Sequence, residues 1–517
     1  MEFGSPKLNS GFMRIFIILL ITLIQCFSAK AQIITNVKVV DGTGSPYYWG
    51  SVRIQDGKIA GTRDIIPKDT DSVIDGKGLV LAPGFIDAHS HHWSDLREDS
   101  GGLPVVSQGI TTIVIGQDGF SYPTDSLKFW MERNPAAVNV ATFTGHSGLR
   151  EAVMGANEVF REASAEEIGK MKELLQADLE MGSLGLSTGL EYEQAYFSST
   201  EEVIELARVA GSNGGKYISH IRSEDIALED AVLEIIKIGA ETGIPVQLTH
   251  IKIGMASKWG TASEIIQKLE KARLAGIEIT ADIYPYNYWN STLRVLFPKR
   301  DYDNPESAAF AVRETLSPEE SYLVAYAPIP EYAGQTIGAI SRIRNETPDI
   351  TLMALIRIAS EFQESHPDFE GDVETIVAKG MADTDIEDFM AWRFTGICSD
   401  GNAGGHPRGF GAFPRILAKY VRDTKLLTLE QAVHKMTGLT ANNLGLEQKG
   451  YLRAGYDADL VLFNPDTVQD NASISNPHAL SDGIEAVWVS GELVYKNKQT
   501  LGVRPGKLIT RSNIIHE

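Results

Sequence analysis

Two histidines separated by one residue, His89 and His91, close an apolar run that begins at Leu79. In an extended chain the side chains of residues i and i+2 point to the same face, so both imidazoles converge where the strand ends. Neutral imidazoles are good ligands for Zn²⁺ and related divalent ions. The alternative is a pair of surface histidines, and the remaining residues decide between the two interpretations.

Further potential ligands stand at the ends of other predicted strands. His220, His250 and Asp400 each close a short β-rich run, and Asp118 follows another such run. The sequence contains 11 histidines, and four of them occupy these strand ends. Unrelated histidines would have no reason to concentrate there, so we interpret the four as metal ligands.

The elements that must position these residues alternate between strand and helix over residues 84–446. Eight strand candidates end in polar or glycine residues, and most precede a helical pattern. They are Phe85–His89, Thr111–Gly116, Val138–Thr144, Leu184–Thr188, Tyr217–His220, Pro245–His250, Ile277–Asp282 and Thr395–Asp400. Repeated β-α units imply parallel strands, and eight units imply an α/β fold of the (β/α)8 TIM barrel type, with its active site at the carboxyl ends of the strands. An open doubly wound sheet alternates similarly, but no GxGxxG follows the first strand.

Two further regions complete the predicted architecture. Residues 32–83 and 447–517 share a texture of short strands and turns, which predicts one small β-sandwich domain built from both chain ends. Residues 297–392 exceed a single β-α connection and contain an additional strand at 322–327. We therefore expect an insertion before the last barrel strand, and we expect it to cover the site.

Residues 1–31 are predicted to be a leader with a signal peptide from Met13. Arg14 precedes the apolar stretch 15–24, and Ala29-Lys30-Ala31 fits a small-residue cleavage site. The stretch is shorter than the roughly 20 apolar residues of a membrane-spanning helix. We therefore expect an exported, periplasmic protein with no stable membrane span after processing. The residues ahead of Met13 are interpreted as a cloning scar or a misplaced start.

Composition excludes some classes of partner. The chain has 517 residues and a formal net charge of −21, with 43% hydrophobic and 22% charged residues. The negative charge argues against nucleic acid or an anionic membrane surface as a partner. Of the two cysteines, Cys26 belongs to the leader, which leaves Cys398 without a disulfide partner. We expect Cys398 to be a small buried hydrophobe.

The chain resembles the amidohydrolase superfamily and, within it, the N-acyl-D-amino-acid deacylases (D-aminoacylases). The resemblance runs from about residue 34 to about residue 510, essentially the whole chain after the leader. The matching stretches are GFIDAHSH at 84–91, QGITT at 108–112, GHS and LR within 145–150, GLSTGL at 185–190, SHIRSE at 219–224, YPY at 284–286, SDG at 399–401 and ADLV at 458–461. The paired histidines alone indicate only the superfamily, whereas Ser-His-Ile-Arg and Tyr-Pro-Tyr indicate the deacylase branch.

The resemblance implies two neighbouring metal positions. His89, His91 and Asp400 would surround one of them, and His220 and His250 the other. A bound Zn²⁺ would acidify a water molecule and polarise the amide carbonyl. Asp400 would take the proton of that water and return it to the leaving amine nitrogen. The alternative role of Asp400 is to cap the helix that follows, which its Ser-Asp-Gly context permits.

Members of the family often have a cysteine after the second strand as a shared or tightly binding ligand, where this chain has Asp118. A carboxylate is a good zinc ligand but a harder one than a thiolate. The number and identity of the metals therefore stay open between one Zn²⁺, two ions, and tolerance of Mn²⁺ or Co²⁺. Glu191, after the fourth strand, is the second candidate carboxylate.

An N-acyl amino acid carries an α-carboxylate, so its pocket should offer cations and hydroxyl groups. The resemblance points to Lys252, Tyr284, Ser291, Arg222 and Arg408 as the substrate-binding residues, and His146 is a further candidate. His146 would polarise the carbonyl or help to seat the substrate, and a hydrogen-bonded structural role is its alternative.

The sequence therefore predicts an exported, metal-dependent hydrolase that cleaves the amide of N-acyl-D-amino acids, or of short peptides that present a D-residue. A cyclic amidase or dipeptidase of the same superfamily is the nearest alternative. Such relatives frequently use a modified lysine on strand four, and no lysine ends the strand at 184–188. A barrel that has lost its metal and only binds ligands is the second alternative, although the candidate ligand positions all keep metal-binding side chains.

Overall fold

The computed structural model of the protein describes residues 31–511. The predicted signal peptide therefore lies outside the described residues, apart from Ala31 at its end. Within the described part of the chain, no helix is both long enough and apolar enough to cross a bilayer.

The strands of the described residues form four sheets and are numbered here in chain order. They are β1 (Gln32–Val39), β2 (Tyr48–Gln55), β3 (Lys58–Arg63), β4 (Ser72–Asp75), β5 (Val80–Pro83), β6 (Phe85–Asp87), β7 (Ile110–Ile115), β8 (Asn139–Thr142), β9 (Thr144–Gly145), β10 (Gly185–Gly189), β11 (Lys216–His220), β12 (Val246–Leu248), β13 (Ile279–Ile283), β14 (Tyr288–Ser291), β15 (Tyr322–Tyr326), β16 (Gln335–Thr336), β17 (Glu374–Lys379), β18 (Thr395–Ile397), β19 (Leu460–Phe463), β20 (Ile484–Val489), β21 (Glu492–Lys496) and β22 (Gln499–Thr500).

The α-helices follow the strands in the alternating order that the sequence predicts. They are Trp93–Glu98, Leu103–Val106, Thr124–Arg133, His146–Met154, Ala165–Glu180, Glu193–Tyr196, Thr200–Ser212, Leu228–Thr242, Ala262–Leu274, Pro305–Phe310, Ile337–Arg344, Pro348–Ser365, Asp383–Ala391, Arg408–Arg415, Leu429–Met436 and Gly438–Leu444.

Eight strands form the closed parallel barrel. β6, β7 and β8 pair in parallel, and β10, β11, β12, β13 and β18 continue in the same direction. Leu184 N–H donates to Thr142 O at 2.8 Å, which joins the approach to β10 to β8. Asp400 N–H donates to His89 O at 2.9 Å, which joins the end of β18 to the end of β6 and closes the ring. The predicted (β/α)8 fold is confirmed, and the open doubly wound sheet is excluded.

The barrel forms because its strands are short apolar runs and its helices carry one apolar face. Every residue of Ile110–Ile115 is buried, as expected of a parallel strand that is covered on both faces. The helix Leu228–Thr242 turns Ile235 and its neighbours towards the core. It ends at Gly243, whose φ of +70° favours a residue without a β-carbon. Cys398 is fully buried beside the barrel strands, as predicted.

Both chain ends contribute to one nine-stranded sheet beside the barrel. Its order is β22-β21-β20-β19-β5-β1-β2-β3, and β4 pairs with β1. Successive residues of a strand face opposite sides of the sheet. Phe463 of β19 accordingly belongs to the barrel core, whereas Leu462 packs with Trp488 in a second core. The small domain is therefore held to the barrel by one face and stabilised by its own core on the other.

The insertion between β13 and β18 forms a separate four-stranded sheet of order β14-β17-β15-β16. It has an apolar core of its own, in which Phe297 and Leu352 are fully buried. This sheet spans residues 288–379, so it starts and ends before the expected limits of 297–392. The next helix, Asp383–Ala391, packs against strands and a helix of the barrel. The insertion is therefore an independent small α/β unit attached at the carboxyl end of the barrel.

Candidate metal centre

The carboxyl ends of the barrel strands open into a cavity of about 820 Å³. Most of the predicted metal ligands line this cavity. His89 is fully buried and lies against His91, with the two Nε2 atoms 3.2 Å apart. Trp289 and Ser291 of β14 form part of the cavity wall, so the first strand of the insertion sheet contributes to the site.

Four side chains converge on a first metal position. His89 Nε2 lies 3.3 Å from Asp118 Oδ2 and 3.4 Å from Asp400 Oδ1, and His91 Nε2 lies 3.2 Å from each of these oxygens. Bonds of about 2.0–2.2 Å in a tetrahedral zinc site place neighbouring ligand atoms roughly 3.3–3.6 Å apart. The spacing of this group therefore fits an ion of the size of Zn²⁺.

A second position lies on the other side of Asp118. His220 Nδ1 and His250 Nε2 are 3.0 Å apart. Asp118 Oδ1 lies 3.3 Å from His250 Nε2 and 3.8 Å from His220 Nδ1. Each oxygen of Asp118 thus faces a different pair of histidines. A carboxylate in this arrangement could contact two metal ions at once.

Three of the candidate ligands lie on backbone in the left-handed region, which residues with a β-carbon rarely adopt. φ is +55° at Asp118, +36° at His250 and +49° at Asp400. His250 N–H donates to Asp282 Oδ1 at 2.7 Å, and Asp400 N–H donates to His89 O at 2.9 Å. These hydrogen bonds hold the unusual conformations, which concentrate at functional sites because they aim side chains where regular strands do not.

Two further carboxylates contact the outer nitrogens of the second histidine pair. Glu191 Oε2 lies 2.9 Å from His220 Nε2, and Glu224 Oε1 lies 3.1 Å from His250 Nδ1. A carboxylate at the outer nitrogen fixes the tautomer of an imidazole and orients its inner nitrogen towards a metal. At the second metal position the two histidines thus form an inner group, and the two carboxylates that orient them form an outer group.

The positions of Asp118 and Glu191 distinguish the two candidate shared carboxylates. Asp118 lies between the histidine pairs, whereas Glu191 lies behind His220. Glu224 is not among the site residues predicted from the sequence. Its signal was present, because it is the acidic residue that closes the stretch beginning at Ser219-His220.

The charge balance of the site also fits divalent cations. Four carboxylates meet only two permanent cations there, and these six residues are Asp118, Asp400, Glu191, Glu224, Lys252 and Arg408. Burial opposes ionisation of Asp118 and Asp400, but His89 beside the former and Arg408 beside the latter hold the pKa of each carboxyl well below its usual range. Ionised carboxylates in excess of cations are costly to bury unless a metal ion balances them.

Four of the predicted substrate-binding residues line the cavity, namely Lys252, Tyr284, Ser291 and Arg408. Lys252 Nζ donates to both oxygens of Glu224, at 2.7 and 2.8 Å. Arg408 Nη1 lies 2.6 Å from Asp400 Oδ2, and its guanidinium stacks 4.7 Å from the ring centre of Tyr284. These groups follow the sixth to eighth barrel strands or belong to the insertion, so the positive charge gathers on one side.

The other two candidates lie outside the cavity and have structural partners. His146 is fully buried, and its Nε2 lies 2.8 Å from Glu202 Oε1, a carboxylate that Arg150 also binds. Arg222 donates from Nε and Nη2 to the two oxygens of Glu234. Polar residues after a barrel strand turn either to the cavity or to the helices around it. The side chains of His146 and Arg222 turn towards the helices.

Comparisons with known proteins agree with this geometry. The profile of the Amidohydrolase family matches residues 72–316 and 395–495. A D-aminoacylase from Alcaligenes xylosoxydans xylosoxydans is 32% identical over 92% of this chain and 96% of its own. An N-acyl-D-aspartate deacylase from the same organism is 32% identical over 93% of this chain and 95% of its own.

Solved structures show the same similarity. An N-acyl-D-glutamate deacylase from Bordetella bronchiseptica, in complex with zinc and a phosphonate that mimics the tetrahedral intermediate, has a TM-score of 0.82 and 30% identity. A D-aminoacylase described for its binuclear metal centre has a TM-score of 0.80 and 31% identity. Each alignment covers 93% of this chain and 99% of the other. The chain therefore belongs to the amidohydrolase family, in the branch that contains the D-aminoacylases and N-acyl-D-amino-acid deacylases.

Proposed function

We propose that the protein hydrolyses the amide bond of N-acyl-D-amino acids, or of short peptides that present a D-residue, and releases the free D-amino acid. The observation that carries this proposal is Asp118, with one oxygen facing His89 and His91 and the other facing His250. The activities named for the relatives support linear amides of D-amino acids as the substrates.

Zn²⁺ is the proposed metal, as one ion or two, and Mn²⁺ or Co²⁺ are alternatives that the donor set would accept. A bound divalent ion supplies a water molecule with a pKa near 7 and a positive charge for the carbonyl oxygen. The mixture of imidazole and carboxylate donors fits such an ion. Zinc in the solved N-acyl-D-glutamate deacylase supports the choice.

Asp400 is the proposed acid and base. Its Oδ1 faces the first metal position, while its Oδ2 is paired with Arg408. The Oδ1 atom is thus directed at the place where the attacking water must lie, and Arg408 keeps the carboxylate ionised and fixes its plane. Asp400 takes the proton of the water and delivers it to the amide nitrogen, which leaves poorly until it is protonated.

Lys252, Tyr284 and Ser291 are the proposed partners of the substrate's α-carboxylate, with Arg408 as a further cation. Lys252 is bound to Glu224 in the described structure, so a substrate carboxylate would share its three donors. This side of the cavity fixes the end of the substrate that becomes the D-amino acid.

We further propose export to the periplasm, which rests on the apolar stretch and small-residue cleavage pattern before Gln32. The proposed substrates in that compartment are D-amino-acid derivatives released from the cell wall. Mass spectrometry of the N-terminus tests this localisation, by comparing exported protein with unprocessed protein.

A screen of N-acetyl-D- and N-acetyl-L-amino acid pairs tests the proposed activity. We expect turnover of D-substrates, loss of turnover on treatment with a chelator, and recovery with added Zn²⁺. Turnover of L-substrates alone would refute the assignment to D-amino acids. A cyclic dihydropyrimidine or hydantoin and a dipeptide of L-residues should be included as controls, because they represent the alternative amidase and dipeptidase functions.

A further inference from the structure

The cavity is larger than an N-acetyl amino acid requires. Its volume of about 820 Å³ lies in the upper part of the range of roughly 300–1,000 Å³ found for sites that enclose drug-sized ligands. An N-acetyl amino acid with a short side chain is much smaller than such a ligand. Space therefore remains for a larger group on one side of the scissile amide.

The distribution of charge decides which side that is. Lys252 follows β12 and Arg408 follows β18, and among the described residues that line the cavity these two are the only lysine or arginine. The carboxylate of the substrate therefore binds on this side. The second barrel strand, β7, stands across the eight-stranded ring from the sixth, β12. An acyl group that points away from Lys252 accordingly extends towards the loop that follows β7 and the neighbouring loop that follows β6.

Those loops present aromatic side chains to the cavity. Trp93, Phe120 and Tyr122 all line it. Phe120 remains 42% exposed and Tyr122 49% exposed, although both are large and mainly apolar. Exposed apolar surface that continues into a cavity marks a binding surface. The ring centre of Tyr122 lies 6.3 Å from that of Trp93, and Arg97 Nη1 donates to Tyr122 Oη at 3.1 Å, which holds the ring in place.

We propose that Trp93, Phe120 and Tyr122 form an acyl subsite for an extended aliphatic acyl chain. The inference rests on the proposed function and adds the nature of the acyl group. Glu151 lines the same side of the cavity, so a peptide with a free amino group is the competing occupant. Three aromatic rings against one carboxylate favour the apolar chain.

The test compares three derivatives of one D-amino acid, namely the N-acetyl, the N-octanoyl and the N-glycyl forms. The amino acid is the one with the highest N-acetyl turnover in the screen above. We expect kcat/KM for the octanoyl form to exceed that for the acetyl form by about tenfold or more, mainly through a lower KM, since the added methylenes contact the subsite before and during the reaction.

Variants locate the effect. Tyr122→Ala and Phe120→Ala should each lower the octanoyl-to-acetyl ratio by about fivefold or more. Because both rings are substantially exposed, their removal should leave the fold intact, which circular dichroism checks. Phe129→Ala is the matched control, since Phe129 is 58% exposed on the following helix and does not line the cavity. It should leave the ratio unchanged.

Three results would overturn the acyl subsite: an octanoyl form no better than the acetyl form, a glycyl form better than both, or a ratio that neither aromatic variant changes. Failure of the proposed function looks different, because then the metal-loaded enzyme would hydrolyse none of the three D-amino-acid derivatives, whether or not it hydrolysed L-substrates.

Discussion

Asp118 and Asp400 differ in what their second oxygen contacts, and this difference separates their roles. Asp118 directs its two oxygens at the two metal positions. Asp400 directs one oxygen at the first position and the other at Arg408. A carboxylate with one oxygen held by an arginine and the other directed at the attacking water suits proton transfer. A carboxylate with both oxygens facing histidine pairs suits metal binding.

The Asp400→Asn variant should therefore lose activity while the fold and most of the metal remain. We expect kcat/KM to fall by about 10³-fold, within the 10²–10⁴ range of general acid–base catalysis. Steady-state kinetics and metal analysis of the purified variant check this, with the exposed Asp303→Asn as control. Near-normal turnover by Asp400→Asn would show that another group moves the proton.

Glu224 gives a second prediction at this scale, because it contacts both His250 and Lys252. Glu224→Gln keeps the shape but removes the charge that orients the imidazole. We expect metal affinity to fall by about 10–100-fold, the usual effect of losing such a partner. Competition with a fluorescent chelator measures this without reference to activity. Glu229→Gln, on the surface of the next helix, should bind metal normally, and equal affinities in the two variants would contradict the role of Glu224.

At the scale of elements, the insertion sheet connects the cavity wall to a buried carboxyl group. β14 pairs with β17, and β14 carries Ser291 into the cavity. At the start of β17, the two oxygens of Glu374 accept a hydrogen bond from Leu293 N–H, at 3.0 and 2.8 Å. The backbone that leaves β14 is thus fixed by a side chain that is almost completely buried.

The stability of the insertion should therefore depend on pH through Glu374. Burial raises the pKa of Glu374 to about 8 in the fold, from an ordinary value of 4.5. Between pH 4.5 and about pH 8 the carboxyl group of Glu374 is ionised in the unfolded chain but still protonated in the fold. The free energy of unfolding therefore falls as pH rises through this range, and the loss of stability is complete above pH 8. At about 1.4 kcal/mol per pKa unit, this amounts to a few kcal/mol.

Glu374→Gln should remove this dependence, because the amide stays neutral at every pH. Urea unfolding at pH 5.5 and pH 8.5 provides the measurement. The two proteins should have similar midpoints at pH 5.5, and the variant should be the more stable at pH 8.5. Parallel losses in both proteins would mean that Glu374 does not titrate in this range.

At the scale of the whole molecule, the metal centre joins loops that only barrel closure brings together. His89 follows the first barrel strand and Asp400 the last, and the hydrogen bond between their backbones closes the ring. Four carboxylates with two permanent cations repel one another there until an ion is bound. The metal should consequently contribute to the stability of the barrel as well as to catalysis.

Removal of metal should lower the thermal midpoint, and Zn²⁺ should restore it. An ion that binds only the folded state contributes about 2.7 kcal/mol at a free concentration 100 times its Kd. Thermal unfolding after dialysis against a chelator, followed by titration with Zn²⁺, tests this. Mg²⁺ is the control, because it prefers oxygen ligands and should not restore the midpoint. An unchanged thermal midpoint after removal of metal would indicate that no bound ion stabilises the fold at this site.

Several features were predictable from local sequence. The eight barrel strands were recognisable because each is a short apolar run followed by polar or glycine residues. The paired His89 and His91 were recognisable because alternate residues of a strand share a face. The limits of the insertion were placed too late, because only residues 284–287 separate its first strand, β14, from β13, and no linker marks the boundary.

Other features depended on side-chain direction, which sequence patterns do not contain. The stretches around His146 and Arg222 looked like parts of the pocket, yet both side chains turn to the helices and pair with Glu202 and Glu234. Glu224 received no role, because the sequence does not show that it lies beside His250.

The sequence by itself determined the barrel, the set of candidate metal ligands and the side-chain chemistry of the cavity, because these follow from strand periodicity and residue type. Only the tertiary structure decided that Asp118 faces both histidine pairs and that Glu191 lies behind one of them. That choice depends on left-handed backbone at the strand ends, where hydrogen bonds between distant segments, not local preference, set the direction of each side chain.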